Sequence, residues 1–246
     1  VRCRLRTDGG CIDTPFNARN LSDNFLAVAM FNEFQLVEGN IERPSEAVPL
    51  QRWRDPVTVT INYGGSVTPA QRDLVGSELE RYVPRLARIT GHPIRLGPDG
   101  NFDVYIVNEA ERRVLADNLT RILEGRGRAW IETIRDLQRI NPCVVLTLGL
   151  RTGTTRAIAI VRSELPDLLI RSCLHEEIAQ GLGLSNDSPR ARPSIFNDDE
   201  EFALLTTHDE LLLEMLYDDR LAPGMTIDAV RPIAQEMANE KLGAPA

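Results

Sequence analysis

Residues 173–187 read CLHEEIAQGLGLSND, and this stretch decides the interpretation of the fold. It lies in a predicted helix that opens at Pro166 and runs through residues 168–182, where glycines mark its end. Glu176 and Gln180 are four residues apart, so their side chains share one face of the helix. Polar groups on an otherwise apolar stripe need hydrogen bonds or a ligand. The stretch therefore predicts either a ligand site or a buried polar network that pins the helix to a sheet.

The segments before this helix alternate between strand and helix patterns. Residues 57–63 alternate apolar and polar side chains as a half-buried strand does. Thr68, Pro69 and Gln71 form a helix start, and Gly91 ends that helix. The other predicted elements are strands at 102–107, 144–148 and 157–161 and a helical stretch at 109–123. This order predicts an α/β or α+β domain.

The N-terminal region is predicted to be a separate arm. A helix is expected from Leu21 to Leu36 with Ser22 as its cap, followed by a polar, proline-containing connector. The domain organisation predicted is an arm at residues 1–50, a main domain at 51–220 and a tail at 221–246 that packs on that domain.

The charge of the chain argues against two classes of partner. Its 246 residues are 42% hydrophobic and carry a formal net charge of −8, with no long basic run. Nucleic acid and anionic lipid surfaces repel such a chain. No stretch approaches the roughly 20 apolar residues of a membrane-spanning helix.

Four cysteines point to an oxidising compartment. The pairs Cys3–Cys11 and Cys143–Cys173 are one of three possible pairings, and four free thiols are the alternative. The chain begins with Val1, as expected for a fragment or for a processed protein that has lost an export signal. We therefore expect an exported protein.

Residues 176–186 resemble the zinc motif of the metzincin peptidases, HExxHxxGxxH, but read EExxQxxGxxN. Aligned on Gly183, the resemblance implies that Glu176, Gln180 and Asn186 occupy the three metal-ligand positions. It also implies that Glu177 occupies the position of the catalytic acid/base.

The resemblance extends over roughly residues 53–220. Ser194-Ile195-Phe196 stands where such families carry a methionine turn beneath the metal, with Phe196 in place of the methionine. Residues 205–217 resemble the helix that follows this turn, and residues 157–161 would be the edge strand over the cleft. The resemblance implies a zincin-like fold: a twisted mixed sheet with an active-site-type helix, a Met-turn-like segment and a C-terminal helix.

The chain also resembles an uncharacterised bacterial family of domains of unknown function. The shared segments are EExxQ, LGL with the following ND, and SIFND. This second resemblance implies no activity.

The residues that stand in place of the three histidines determine which function we expect. Zinc favours imidazole and thiolate ligands, whereas amides bind it poorly, and calcium or magnesium prefers more oxygen ligands than this set offers. Without a metal-polarised water, Glu177 has little to activate. We therefore expect a pseudopeptidase with no cofactor, which binds an extended peptide or a partner protein or has a structural role. The alternative is an active metal-dependent peptidase that uses zinc or another divalent cation with this unusual ligand set.

Several further residues are weaker candidates for a functional site. His175, Gly183, Asp187 and Phe196 are further candidates for the cleft, but a satisfied or exposed helix histidine is the better interpretation of His175. A site built from His92, His175 and His208 is improbable because they are distant in sequence. The acidic run at residues 197–201 could hold calcium, yet its spacing does not match an EF-hand and favours a solvated loop.

Overall fold

A computed structural model of the protein describes residues 5–10, 13–32, 35–37, 40–42, 46–122, 131, 134–135, 141–150, 153–197 and 201–243. These residues contain six helices, a five-stranded mixed sheet and a two-stranded hairpin. The helices are α1 (Ala18–Ala29), α2 (Pro69–Thr90), α3 (Glu109–Ile122), α4 (Asp167–Gly181), α5 (Thr207–Leu216) and α6 (Ile227–Leu242). The strands are β1 (Gln35–Val37), β2 (Asn40–Glu42), β3 (Val57–Tyr63), β4 (Ile94–Leu96), β5 (Phe102–Val107), β6 (Cys143–Leu150) and β7 (Gly153–Arg162). The mixed α/β class expected from the sequence is confirmed.

The five strands are ordered β4-β3-β5-β7-β6. The first four run parallel, and β6 pairs antiparallel with β7 at one edge. The prediction that residues 157–161 form the edge strand is therefore wrong, because β7 lies between β5 and β6, and the two edge strands are β4 and β6. The unbroken apolar run of β7 is typical of a strand that is covered on both faces.

Helix α2 begins and ends where its local chemistry requires. The Thr68 side chain accepts the backbone N–H of Gln71, and the Gln71 side chain accepts the N–H of Thr68. Gly91 ends the helix in the left-handed conformation, with φ of 64°, which glycine adopts without strain. This predicted helix is confirmed.

The N-terminal helix differs from its prediction. It spans Ala18–Ala29 rather than residues 21–36, and its cap is Asn17 rather than Ser22. Asn17 and Asn20 form a reciprocal capping box, which satisfies two backbone donors at the helix start. The strand β1 occupies part of the predicted C-terminal half.

One large hydrophobic core lies on the α4 side of the sheet, and a smaller cluster covers the opposite face with α3. The large core includes Leu21 and Phe25 of α1 and Val230 and Met237 of α6. Residues assigned to the arm, the main domain and the tail thus share one core. The division of the chain into those three parts stays a prediction.

A disulfide joins the edge strand to helix α4. Cys143, the first residue of β6, is bonded to Cys173 of α4, with 5.9 Å between their Cα atoms. This pairing confirms the prediction for Cys143 and Cys173. The predicted pair Cys3–Cys11 lies outside the described residues.

Candidate functional site

Helix α4 carries the motif and packs closely under the sheet. A Cβ atom on Gly181 would lie 2.4 Å from the ring of Phe102, so no larger residue fits there without displacing the ring. The indole nitrogen of Trp53 donates to the Gly181 carbonyl at 2.8 Å. These contacts fix the depth and direction of the helix beneath β5 and β6.

Glu176 and Glu177 lie beside the disulfide. One carboxylate oxygen of each and the Cys143 sulfur all lie within 4.8 Å of one another. Among the residues that the structure describes, this is the group of His, Cys, Asp and Glu side chains that comes closest to a metal-ligand cluster. The Glu177 residue is only 5% exposed, whereas Glu176 is half-buried. In the disulfide form, the sulfur is not a thiolate and offers no strong ligand.

Gln180, which the metzincin resemblance assigns to the second ligand position, binds a nearby side chain. Its side-chain nitrogen donates to the Asp187 carboxylate at 3.0 Å, and the glutamine is 4% exposed. A carboxylate acceptor makes this a charge-assisted hydrogen bond. The bond closes the turn that connects α4 to the following loop.

Asn186, which the same resemblance assigns to the third ligand position, binds helix α1. Its side-chain nitrogen donates to the Ala27 carbonyl at 2.8 Å, and its backbone N–H donates to the Val28 carbonyl at 3.1 Å. The Ser185 hydroxyl is 3.0 Å from the Phe31 carbonyl, to which it donates. Carbonyls at a helix C-terminus have no partner within the helix. The loop after α4 therefore caps the end of α1.

Gly183 makes the turn between these two amides possible. Its φ is +125°, and a Cβ atom there would lie 2.2 Å from the Gln51 carbonyl oxygen. Both the backbone conformation and the close approach of Gln51 require glycine. Glycine at this position thus marks the end of α4, as the sequence predicted.

The turn that contains Phe196 is held by Asp209. The Asp209 carboxylate accepts hydrogen bonds from the Ser194 hydroxyl, the Ile195 N–H and both the N–H and the hydroxyl of Thr206. Phe196 is fully buried in the large core. Thr206 and Asp209 also form the capping box of α5, which confirms the helix predicted after the turn. One buried carboxylate thus joins the turn to that helix.

His175 is buried on the side of α4 that faces α2 and α5. Its Nδ1 accepts the Leu205 N–H at 3.0 Å, so Nε2 carries the proton and donates to Glu78 at 3.0 Å. Its ring stacks on Tyr82 with 3.9 Å between the ring centroids. Burial lowers the pKa of His175. These contacts agree with a satisfied helix histidine.

Glu78 is the charged centre of this buried contact. Hydrogen bonding from His175, assisted by Arg171 at 2.7 Å, lowers the pKa of Glu78 from 4.5 to about 2, although desolvation opposes the shift. Arg81 also donates to this carboxylate, at 2.9 Å. The carboxylate links α2 to α4 in its ionised form.

We predict that Glu78 makes the free energy of unfolding depend on pH. Its folded-state pKa is depressed, so its contribution is fully present above pH 4.5 and is lost as the pH falls from there through about 2. In Glu78→Gln, the loss of unfolding free energy between about pH 6 and about pH 3 should be smaller than in the parent. Urea denaturation at both pH values measures it. Glu80→Gln, an exposed change on the same helix, is the control; equal pH dependence in Glu78→Gln and the parent would refute the prediction.

The other histidines lie in different environments. The Nε2 atom of His92 is 2.9 Å from the Asp55 carbonyl, and that of His208 is 3.1 Å from the Asn24 side chain. Their partners differ from those of His175. In the acidic run, Asn197 donates to the Ala191 carbonyl at 2.7 Å, and residues 198–200 lie outside the described residues.

Two residues of this region were not identified from the sequence. Glu78 stands three residues after Val75 and four before Tyr82, on the apolar stripe of α2, and an acid there signals a buried partner. Ser185 lies in the quoted motif, but its partner Phe31 is distant in sequence, so no local pattern identifies the bond.

Comparison with known proteins places the chain in a family. No curated protein and no solved structure matches it. Within the described residues, no helix combines the length and the apolar character needed to cross a membrane. A family model described as "Protein of unknown function (DUF2927)" matches residues 18–236, which confirms the resemblance to a family of such domains. The chain therefore belongs to the DUF2927 family of proteins of unknown function.

Proposed function

We propose that this protein is a zincin-like pseudopeptidase that binds an extended peptide along strand β6. The observation that carries the proposal is the position of β6: it is the antiparallel edge strand of the sheet, and a disulfide holds it against the motif helix α4. In the described part of the chain, no strand pairs with its outer side. Edge strands recognise peptides through main-chain hydrogen bonds.

The side chains at the motif positions support a role without zinc catalysis. The amide nitrogens of Gln180 and Asn186 are used to hold Asp187 and helix α1. Amides are poor zinc ligands, and Glu176 alone does not make a zinc site. The donor set therefore does not fit a catalytic zinc ion, and no metal-dependent step is assigned to Glu177.

The register of β6 identifies the backbone groups that would bind the peptide. The Arg162 N–H donates to the Pro142 carbonyl, and hydrogen-bonded pairs alternate along an antiparallel ladder. Given the pairings Val144↔Ile160 and Leu146↔Ile158, those two β6 residues bond inward to β7. The backbone N–H and C=O groups of Val145 and Thr147 therefore point away from the sheet, toward the open edge.

The disulfide supports the proposal that the protein is exported. Stable disulfides persist in oxidising environments and are rare in a reducing cytosol. A bridge between β6 and α4 therefore supports export, where the partner would be an extended segment of another exported protein.

The alternative function is a metal-dependent peptidase with an unusual ligand set. The observation in its favour is the approach of the Glu176 and Glu177 carboxylates to within 4.8 Å. Carboxylates do bind zinc and harder cations. We rank it second because the other two motif positions carry amides.

Binding along β6 is tested by removing one outward backbone donor. We predict that immobilised libraries of blocked random decapeptides retain the parent, and that Thr147→Pro lowers this binding at least about tenfold, since one main-chain hydrogen bond and the fit of its neighbours are lost. Proline is tolerated on an edge strand where its missing N–H faces outward, so the fold should persist by circular dichroism.

The matched control is Thr147→Val, which keeps the outward N–H and replaces the hydroxyl group by a methyl group. It should bind the library as the parent does. As a second measurement, selected peptides should slow amide hydrogen exchange at Val145 and Thr147 in the parent. Absence of library binding by the folded parent, or equal binding by Thr147→Pro, would overturn the proposed edge-strand site.

A further inference from the structure

The disulfide and the two motif carboxylates form a set of four potential metal donors. Cys173, Glu176 and Glu177 are at positions i, i+3 and i+4 of α4, which places them on one side of the helix. Cys143 of β6 lies opposite them, with its sulfur within 4.8 Å of both carboxylates. The sulfur atoms of Cys143 and Cys173 are bonded to each other. Two sulfurs and two carboxylates from two elements therefore meet at one place.

We propose that reduction of Cys143–Cys173 creates a zinc site formed by both thiolates and by Glu176 and Glu177. Zinc binds four such ligands in a tetrahedral arrangement, with thiolate and carboxylate both acceptable. In the oxidised form, neither Cys143 nor Cys173 is a thiolate, and the site is closed to the metal. The site differs from the motif set, because it uses neither Gln180 nor Asn186 and shares only Glu176 with it. The proposal does not rest on peptide binding.

Either a dithiol or a phosphine can reduce the Cys143–Cys173 disulfide. A dithiol gives up two electrons and two protons and becomes a disulfide, while Cys143–Cys173 becomes two thiols. With a phosphine, water supplies the oxygen of the phosphine oxide and the two protons. On binding, the two thiols release their protons to solvent and the metal takes both thiolates.

Either a disulfide or a metal ion would then crosslink β6 and α4 at the same position, depending on the redox state of the two cysteines. The disulfide joins β6 to α4 covalently, and the metal would rejoin the same elements after reduction. Cys143 is 9% exposed and Cys173 is 2% exposed, so the metal would lie in a nearly closed place. A closed four-ligand zinc site is a structural site, with no position left for a substrate.

The test is a cobalt titration of the reduced protein in a Cys3→Ser/Cys11→Ser background, which removes the other two thiols. After reduction by a water-soluble phosphine, Co²⁺ should give thiolate-to-cobalt charge-transfer absorption and tetrahedral d–d bands at about one ion per chain, and Zn²⁺ should displace it. The same protein with its disulfide intact should give neither signal. Absence of these bands from the reduced protein after Co²⁺ is added would overturn the proposal.

Two variants distinguish a four-ligand site from metal binding by the two thiolates alone. Glu176→Gln/Glu177→Gln should lower the cobalt affinity of the reduced chain at least about tenfold, whereas Glu80→Gln, an exposed change on α2, should leave it unchanged. Near-ultraviolet circular dichroism follows folding. If the reduced chain unfolds without metal, recovery of the native spectrum on adding Zn²⁺ supports the site. Cobalt binding of equal affinity with and without both carboxylates overturns it.

Discussion

Replacing Asp209 by alanine is expected to lower the free energy of unfolding by about 4 kcal/mol. The carboxylate is fully buried and accepts hydrogen bonds from Ser194, Ile195 and Thr206. Its removal leaves several buried donors without an acceptor, each of which costs about 1–3 kcal/mol. Urea denaturation followed by far-ultraviolet circular dichroism gives the free energy.

Two further variants define the cause of this loss. Asp209→Asn keeps the side-chain volume but presents an amide to the backbone donors. Its free energy of unfolding should therefore lie between those of Asp209→Ala and the parent. Asp73→Ala removes an exposed acid from α2 and should change stability by less than about 0.5 kcal/mol. A loss below about 1 kcal/mol in Asp209→Ala would contradict the role of this carboxylate in joining the Phe196 turn to α5.

Gly183→Ala is expected to destabilise the fold by at least about 3 kcal/mol. The residue has φ of +125°, and the new Cβ would lie 2.2 Å from the Gln51 carbonyl oxygen. The backbone of Gln51 cannot move aside as a flexible side chain would, so strain and collision add. The reversal that carries Asn186 to α1 should be disturbed as well.

Gly91→Ala is the matched control because Gly91 also has a positive φ, of +64°, but a Cβ atom added there would meet no other atom within 4 Å. It should cost only the conformational strain, about 1–2 kcal/mol. The difference between the free energies of unfolding of the two variants measures the collision with Gln51 together with the larger backbone strain at φ of +125°. Equal losses would contradict the requirement for glycine at position 183 that this close approach imposes.

The sequence predicted the parts of the fold that depend on local chemistry. Thr68 with Gln71 indicates a helix start because the cap is formed within four residues. The helix at residues 205–217 was expected from the resemblance, and its Thr206–Asp209 cap is equally local. Gly183 indicates the turn after α4 because glycine adopts a positive φ without strain. Helix α6 was interpreted only as a tail, although the spacing of Val230, Ala234, Met237 and Ala238 is helical.

Contacts between distant segments could not be predicted in this way. The order of the strands depends on which edges meet, and an apolar strand pattern does not specify its neighbour. That is why β7 was assigned to the edge that β6 occupies. Asn186 was identified as a motif position, but its partner Ala27 lies in α1, and an amide offers no sequence signal for that acceptor.

The zinc content of the oxidised protein tests the central claim most directly. The claim is that Glu176, Gln180 and Asn186 do not form a catalytic zinc site, since two of the three are amides, whose nitrogens donate to Asp187 and Ala27. Protein purified without chelators or reductants, with Cys143–Cys173 confirmed by non-reducing peptide mapping, is measured by elemental analysis. We predict far less than about one zinc ion per chain, and no peptide cleavage that a chelator abolishes. One tightly held zinc ion per oxidised chain would contradict the pseudopeptidase assignment.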